Sequence, residues 1–388
     1  MSGRVTHPSS SAFSDTFATT GEEDPKRARV KLVQDVYEPR HDIREPRPRK
    51  RRGCCGKCCL ICKVCGLFCY IICPPIPEYI TRKLAFHALK RGETYEIHGL
   101  NEEDGTVVKL SSAKKAHEMK RIWIETGPKK VRMPELFAWV QNDGMPFVVK
   151  TKRGNSLACY WYHVRGGNAN TIILFAQPNS SDIGLFMQPS SMSINRLGSA
   201  FQTDIVFFDY SGFGYSTGTP CEKNVYADIE AVYDYLRDVK GENVEIILMG
   251  LSMGTAASID LAAKNPPNVV GVILLAPFTS ALRLLRNNPD DAESCCLDRF
   301  LSFEKASMIE APTLVIHGLE DGTIPVTHGK SLQRQLKRPV PPFYAKNGDH
   351  ANILSTKQTM VMHRINHFIL NETTTKSKSR RDAAVDTE

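Results

Sequence analysis

The run Ile246-Ile247-Leu248-Met249-Gly250-Leu251-Ser252-Met253-Gly254-Thr255-Ala256-Ala257 constrains the fold more than any other stretch of the chain. An apolar segment stops at a glycine, a serine follows two residues on, and a second glycine opens a run of small residues with good helix propensity. This is the G-x-S-x-G pattern between a strand and a helix. A serine there stands on a sharp, strained turn with its hydroxyl clear of the backbone. Bulky neighbours two positions away would collide, and glycine removes the collision. The next residue, Met253, opens the helix and can aim its N–H at a developing oxyanion. The bland alternative is a tight strand-to-helix turn with an inert serine. The buried strand before it and the helix after it favour a nucleophile elbow.

From Pro146 onward the pattern is α/β. Strands are predicted over 147–152 and 157–164, with Arg153-Gly154-Asn155 as the turn between them. Further strands are predicted over 171–176, 204–208, 244–249, 269–275 and 313–316, with 341–345 as the last. Val225, Ile229, Val232, Tyr233 and Leu236 recur at helical spacing in 225–239, and a closing helix is expected over roughly 352–370. Apolar strands alternating with helices predict a mostly parallel sheet covered on both faces. Residues 277–310 lie between two strands without one of their own and are read as a small cap.

The 388 residues, 41% hydrophobic, suffice for one large domain plus extensions. Residues 1–53 are polar and read as a disordered basic extension ending in Arg47-Pro48-Arg49-Lys50-Arg51-Arg52. No N-terminal signal peptide is visible there. Of the 12 cysteines, eight fall in one short segment: Cys54, Cys55, Cys58, Cys59, Cys62, Cys65, Cys69 and Cys73. That is not a disulfide framework spread over an extracellular fold, so a cytosolic, reducing setting is the simplest reading. Zinc would have to use overlapping Cys-x-x-Cys pairs with no histidine nearby. S-acylation suits the segment better, because it is apolar, too short to span a bilayer and directly follows a polybasic run. Acyl chains and basic residues together supply the two signals that stable anchoring needs. Ser2 follows Met1, so there is no N-myristoylation signal. The organisation read from this is 1–53 extension, 54–77 anchor segment, 78–144 linker or pre-domain region, 145–371 catalytic domain and 372–388 polar tail.

A serine nucleophile needs a base, and the base needs a carboxylate to orient it. In this architecture they follow the serine in the order acid, then histidine, each on a loop after a strand. After 313–316 come Glu320 and Asp321, either of which fits. After the last strand comes His350 in Gly348-Asp349-His350. The other histidines have blander readings: His317 as a strand-end structural residue, His363 and His367 as packed or solvated on the closing helix. Asp209 precedes the nucleophile, so it is read as a brace for its own loop.

Several stretches together now carry a resemblance: the Cys-rich segment closing in CPPIP, then RKLAF, TKRGN, DYSGFGYSTGTPCEKNVYADIEA, the elbow, HGLEDGTIPVTHG and GDHANI. The chain resembles the α/β-hydrolase domain-containing 17 family of membrane-anchored protein depalmitoylases, over most of 65–370, with 92–131 aligning poorly. The resemblance implies the α/β-hydrolase fold, a Ser252, Asp321 and His350 triad, and palmitoylation of the cysteine segment. It departs in two places, and the first is residues 1–53, a long extension where the family's N-terminus is short. Where such enzymes carry His-Gly-Asn after the 171–176 strand, this chain has Gln177-Pro178-Asn179. That loop supplies the second oxyanion N–H, here placed at Asn179 beside Met253. Proline fixes φ at about −65°, so a glycine-only conformation is closed to position 178.

The reading is therefore a serine hydrolase cleaving acyl thioesters of S-palmitoylated proteins. It would be peripherally lipid-anchored on the cytosolic face of plasma or endosomal membranes. S-acylated membrane proteins and the membrane surface are its expected partners; no metal, diffusible cofactor or nucleic acid is expected. Two rivals stand beside it: a lipase or esterase on small acyl esters, and a non-catalytic membrane-tethered protein that kept the fold.

Overall fold

The computed structural model describes residues 86–127, 144–188, 192–291, 298–355 and 359–374. The cysteine segment 54–77, the extension 1–53 and the tail beyond 374 lie outside the described residues. The first elements are strands β1 (Tyr95–Leu100) and β2 (Val107–Lys109), helix α1 (Ala113–His117) and strand β3 (Ile122–Thr126). They form a small antiparallel sheet in the order β2-β1-β3. Along β1 the residues alternate, Tyr95 and Ile97 buried against half-buried Glu96 and His98, as a strand with one covered face requires. Helix α1 starts at Ser112, whose side chain accepts from the Lys115 N–H. It buries Ala113 and Ala116 and packs on the strands over Gly144–Lys150 and Ser156–Tyr162. So the described part of the stretch read as a linker folds onto the main sheet.

The main sheet is built from β4 (Gly144–Lys150), β5 (Ser156–Tyr162), β6 (Asn168–Ala176), β7 (Thr203–Phe208), β8 (Glu245–Leu251), β9 (Val269–Leu275), β10 (Thr313–Gly318) and β11 (Phe343–Ala345). Its order is β11-β10-β9-β8-β6-β7-β5-β4. Strand β5 runs antiparallel to both neighbours, β4 and β7, and every other pairing is parallel. Strand β8 lies between β6 and β9, and its residues 246–251 are all buried. Two-sided burial explains why this strand reads as an unbroken apolar run rather than an alternating one.

The longer helices are α3 (Ile194–Phe201), α4 (Glu222–Lys240), α5 (Met253–Ala262), α8 (Val326–Gln335) and α9 (Thr359–Asn371); the short ones are α2 (Ile183–Met187), α6 (Ala281–Leu285) and α7 (Ser302–Ala306). One face of the sheet packs on α2, α3, α9 and the small sheet, through residues such as Ile194, Leu197, Ile365 and Phe368. The other face packs on α4, α5, α7 and α8. All five apolar positions predicted on α4 are buried. The fold class is α/β with the α/β-hydrolase strand order.

One boundary differs from the sequence reading. The closing helix is described over Thr359–Asn371, and residues 351–354 ahead of it form turns. Segment 277–310, expected as a small cap, provides the crossover from β9 to β10. Its helix α7 packs on α5 and α8, and Ala306 and Ile309 are buried in the same apolar layer as β9 and β10. Residues 292–297 of the segment lie outside the described residues, and Leu285 on α6 is exposed.

Candidate active site

Strand β8 ends at Leu251, and Ser252 takes φ 54°, ψ −118° before α5 begins at Met253. A non-glycine residue there stores about 1–3 kcal/mol of strain, which the surroundings must hold. They do so through the Ser252 N–H, which donates to Leu275 O at 2.9 Å. The Thr255 N–H and hydroxyl both donate to Ser252 O, at 2.9 and 2.6 Å. The flanking glycines are sterically required. A methyl on Gly250 would lie 2.4 Å from Gly254 O, and one on Gly254 would lie 1.9 Å from Ala176 O.

The loops after β10 and β11 bring the other two groups. These strands pair in parallel, with Gly318 opposite Ala345. The Leu319 N–H donates to Ala345 O at 3.0 Å and the Glu320 N–H to Gly348 O at 2.9 Å, so the loops are stitched together. Asp321 Oδ1 accepts from the Thr323 and Ile324 N–H groups at 2.9 and 2.8 Å. Its Oδ2 lies 2.8 Å from His350 Nδ1, and His350 Nε2 lies 3.0 Å from Ser252 Oγ. Glu320, the other sequence candidate, is exposed.

Electrostatics fit this relay. Burial pushes the Asp321 carboxyl up, but contacts from His317 and His350, the Ile324 N–H and the His350 charge outweigh it. They hold it well below the usual carboxylate range. An anionic Asp321 makes His350 Nδ1 the donor and leaves Nε2 to accept from the serine hydroxyl. The Asp321 side chain is fully buried, whereas that of His350 is 23% exposed.

Met253 occupies the first helical position beside Ser252. Asn179 lies three residues past Ala176, which pairs with Gly250, so its loop runs alongside the elbow. The loop's left-handed residue is Ser180, φ 61°, and Pro178 is spared that conformation. Gln177 is fully buried; its Nε2 donates to Asp209 Oδ1 at 3.0 Å, and its carbonyl accepts from the Tyr210 hydroxyl at 2.8 Å. Asp209 also accepts from the Ile183 N–H at 2.9 Å and from the Tyr95 hydroxyl. Asp209 thus ties the ends of β6 and β7 to β1.

Two histidines flank the relay: His317, read from the sequence as a structural residue at its strand end and buried there, and His87, which the sequence reading did not single out. His317 Nε2 sits 2.7 Å from Ile324 O and 3.5 Å from Asp321 Oδ2, under the relay. Gly329 leaves it room, since a methyl there would lie 2.6 Å from His317 Nδ1. Its place four residues before Asp321 was the available signal. His87 contacts Asn179 across 92 residues of sequence, and no local pattern announces it.

A family model described as Hydrolase_4, serine aminopeptidase S33, matches residues 196–289. The alpha/beta hydrolase domain-containing protein 17B of Xenopus tropicalis is 35% identical over 312 residues, 80% of this chain and 96% of the relative. The human 17B protein is 36% identical over 293 residues, 75% of this chain and 90% of the relative. Among solved structures, the Pyrococcus furiosus esterase Pf2001 is similar with a TM-score of 0.49 at 15% identity, covering 62% of this chain and 95% of that one.

Proposed function

Because the chain belongs to the α/β-hydrolase domain-containing 17 family, a family of hydrolases, we propose that it is a serine hydrolase that cleaves acyl thioesters of S-palmitoylated proteins. The observation that carries the hydrolytic reading is the unbroken relay from Ser252 Oγ through His350 to Asp321, at 3.0 and 2.8 Å. Ser252 Oγ attacks the thioester carbonyl while His350 Nε2 takes its proton. The oxyanion is held by the Met253 and Asn179 N–H groups. As the tetrahedral intermediate collapses, the C–S bond breaks and His350 returns the proton to the departing cysteine thiolate. Water then attacks the acyl-serine, His350 takes a proton from it, and the fatty acid leaves as Ser252 is reprotonated. Asp321 holds the imidazole tautomer and stabilises its cation. None of these steps draws on a metal or cofactor.

The family resemblance supports the thioester substrate and the acylated cysteine segment. Among the described residues no helix is long and apolar enough to cross a membrane. In this reading the chain sits on the cytosolic membrane face through Cys54, Cys55, Cys58, Cys59, Cys62, Cys65, Cys69 and Cys73, aided by the basic run from Arg47 to Arg52. The test compares purified protein on an S-palmitoylated protein and on acylglycerols. Loss of hydroxylamine-sensitive acyl groups from the protein is the expected result. Turnover of acylglycerols alone would replace the thioesterase reading with the lipase one.

A further inference from the structure

The loop that carries Asn179 is buried on either side of a tip formed by half-buried Asn179 and exposed Ser180. Gln177 is fully buried and bonded to Asp209 and Tyr210, and Pro178 O accepts from the Ser181 hydroxyl at 2.7 Å. Beyond it the chain turns outward: Asn179 is half-buried, and Ser180 is exposed with φ 61°. A donor that must meet an oxyanion within a few tenths of an ångström therefore sits where the loop leaves the core.

One residue far away in sequence grips that point twice. The His87 N–H donates to Asn179 Oδ1 at 3.0 Å, and Asn179 Nδ2 lies 3.3 Å from His87 Nδ1. A backbone N–H can only donate, so Oδ1 faces it and Nδ2 faces the ring, with Nδ1 as acceptor. Both ends of a single carboxamide are thus read by a single residue. His87 is itself fixed on either side. Before it, the Phe86 ring packs edge-on against Phe213 and Phe300, with centroids 6.5 and 6.1 Å apart. After it, Arg91 donates to Gly214 O, Ser111 O and Ser216 O at 3.0, 2.7 and 3.2 Å.

We infer that this segment is a strap that sets the oxyanion loop, with His87 a positioning residue that fixes Asn179. The inference rests on the reading of Ser252 as nucleophile and of the Asn179 N–H as oxyanion donor. His87 touches no reacting atom. It acts by narrowing the range of positions open to the donor, which matters in the transition state more than in substrate binding.

The test measures kcat and KM on a soluble acyl thioester, with melting temperatures, for the full-length chain and four variants. These are His87→Ala, His87→Asn, Asn179→Ala and the His87→Ala/Asn179→Ala pair. His87→Ala keeps the backbone N–H and loses the ring; kcat should fall roughly tenfold to a hundredfold, the range for a slightly misplaced catalytic group. KM and the melting temperature should stay near wild type. His87→Asn places an acceptor oxygen near the Nδ1 position and should recover most of the rate. Asn179→Ala keeps the oxyanion N–H yet should lose a similar factor, and the pair should be no slower than the slower single variant. Wild-type kcat in His87→Ala, losses that multiply in the pair, or no recovery in His87→Asn would each overturn the strap. Ser252→Ala separates the two levels. If it still hydrolyses, the nucleophile reading has failed; if it is inert while His87→Ala matches wild type, only the strap has failed.

Discussion

At the scale of single residues, the site depends on neighbours that differ by one position. Asp321 and Glu320 are adjacent carboxylates, but Asp321 points inward to two loop N–H groups and His350, while Glu320 is exposed. Asp321→Asn can present an amide where His350 Nδ1 needs an acceptor, which stabilises the wrong tautomer. The expected loss in kcat is ~10⁴-fold, the scale known for this change in serine proteases. Glu320→Gln should stay within about twofold of wild type, as surface changes away from a site do. Steady-state kinetics on one soluble thioester decides between them, and a larger loss in Glu320→Gln would reverse the assignment.

At the scale of elements, strand ends and their loops do the positioning. Asp209, at the end of β7, is pushed up to about 7, first by burial and then by the Asp182 charge, against hydrogen bonds from Tyr95, Gln177 and Ile183. The folded state therefore holds this proton more tightly than the unfolded chain does. The stabilising contribution is full below the unfolded value of 3.8 and is lost as pH rises through about 7. Asp228, pushed up to about 7 by burial, has the same sign. Asp321 has the opposite sign: its contribution is present above the unfolded value and lost only in strong acid. Asp209→Asn removes one proton-binding step, so its melting temperature should fall less than that of wild type as pH rises between about 4 and about 7. Thermal melts across that range check it; parallel curves would contradict it.

What the sequence made legible at this scale follows from burial. Strands β6 to β10 are covered on both faces and advertise themselves as apolar runs, and α4 shows its stripe at helical spacing. Strands β1 to β3 are short: β1 interleaves Glu96 and His98 with its buried residues, β2 is exposed throughout and β3 buries only Ile124, so their pattern dissolves into a polar stretch. Ser252 and His350 stood out by chain order and loop context, which left Glu320 and Asp321 as alternatives; the family resemblance pointed to Asp321. The contacts of His87 and of Tyr95 did not stand out, because they close over 92 and 114 residues.

At the scale of the whole molecule, the proposed membrane attachment and the hydrolytic site are separable. Replacing all eight cysteines from Cys54 to Cys73 by serine should move the protein from membranes to the cytosol on fractionation. Two or more acyl chains hold firmly and eight sites leave redundancy, so single replacements should do little. Turnover of a soluble thioester should persist in the all-serine form, and turnover of membrane-bound acyl-proteins should fall. An all-serine form that stays on membranes, or zinc bound stoichiometrically to the segment, would replace the acylation reading.

The proposed hydrolysis requires Ser252 to be an activated nucleophile, with strained geometry, a base at 3.0 Å and a buried carboxylate behind it. A fluorophosphonate probe reports that property directly, because it phosphonylates a serine only where a base activates the hydroxyl. The probe should label the wild-type protein at one peptide, with the adduct mapped by mass spectrometry to Ser252, and should leave Ser252→Ala unlabelled. A folded wild-type protein that takes no label, or a Ser252→Ala variant that takes it as well as wild type, would contradict the account.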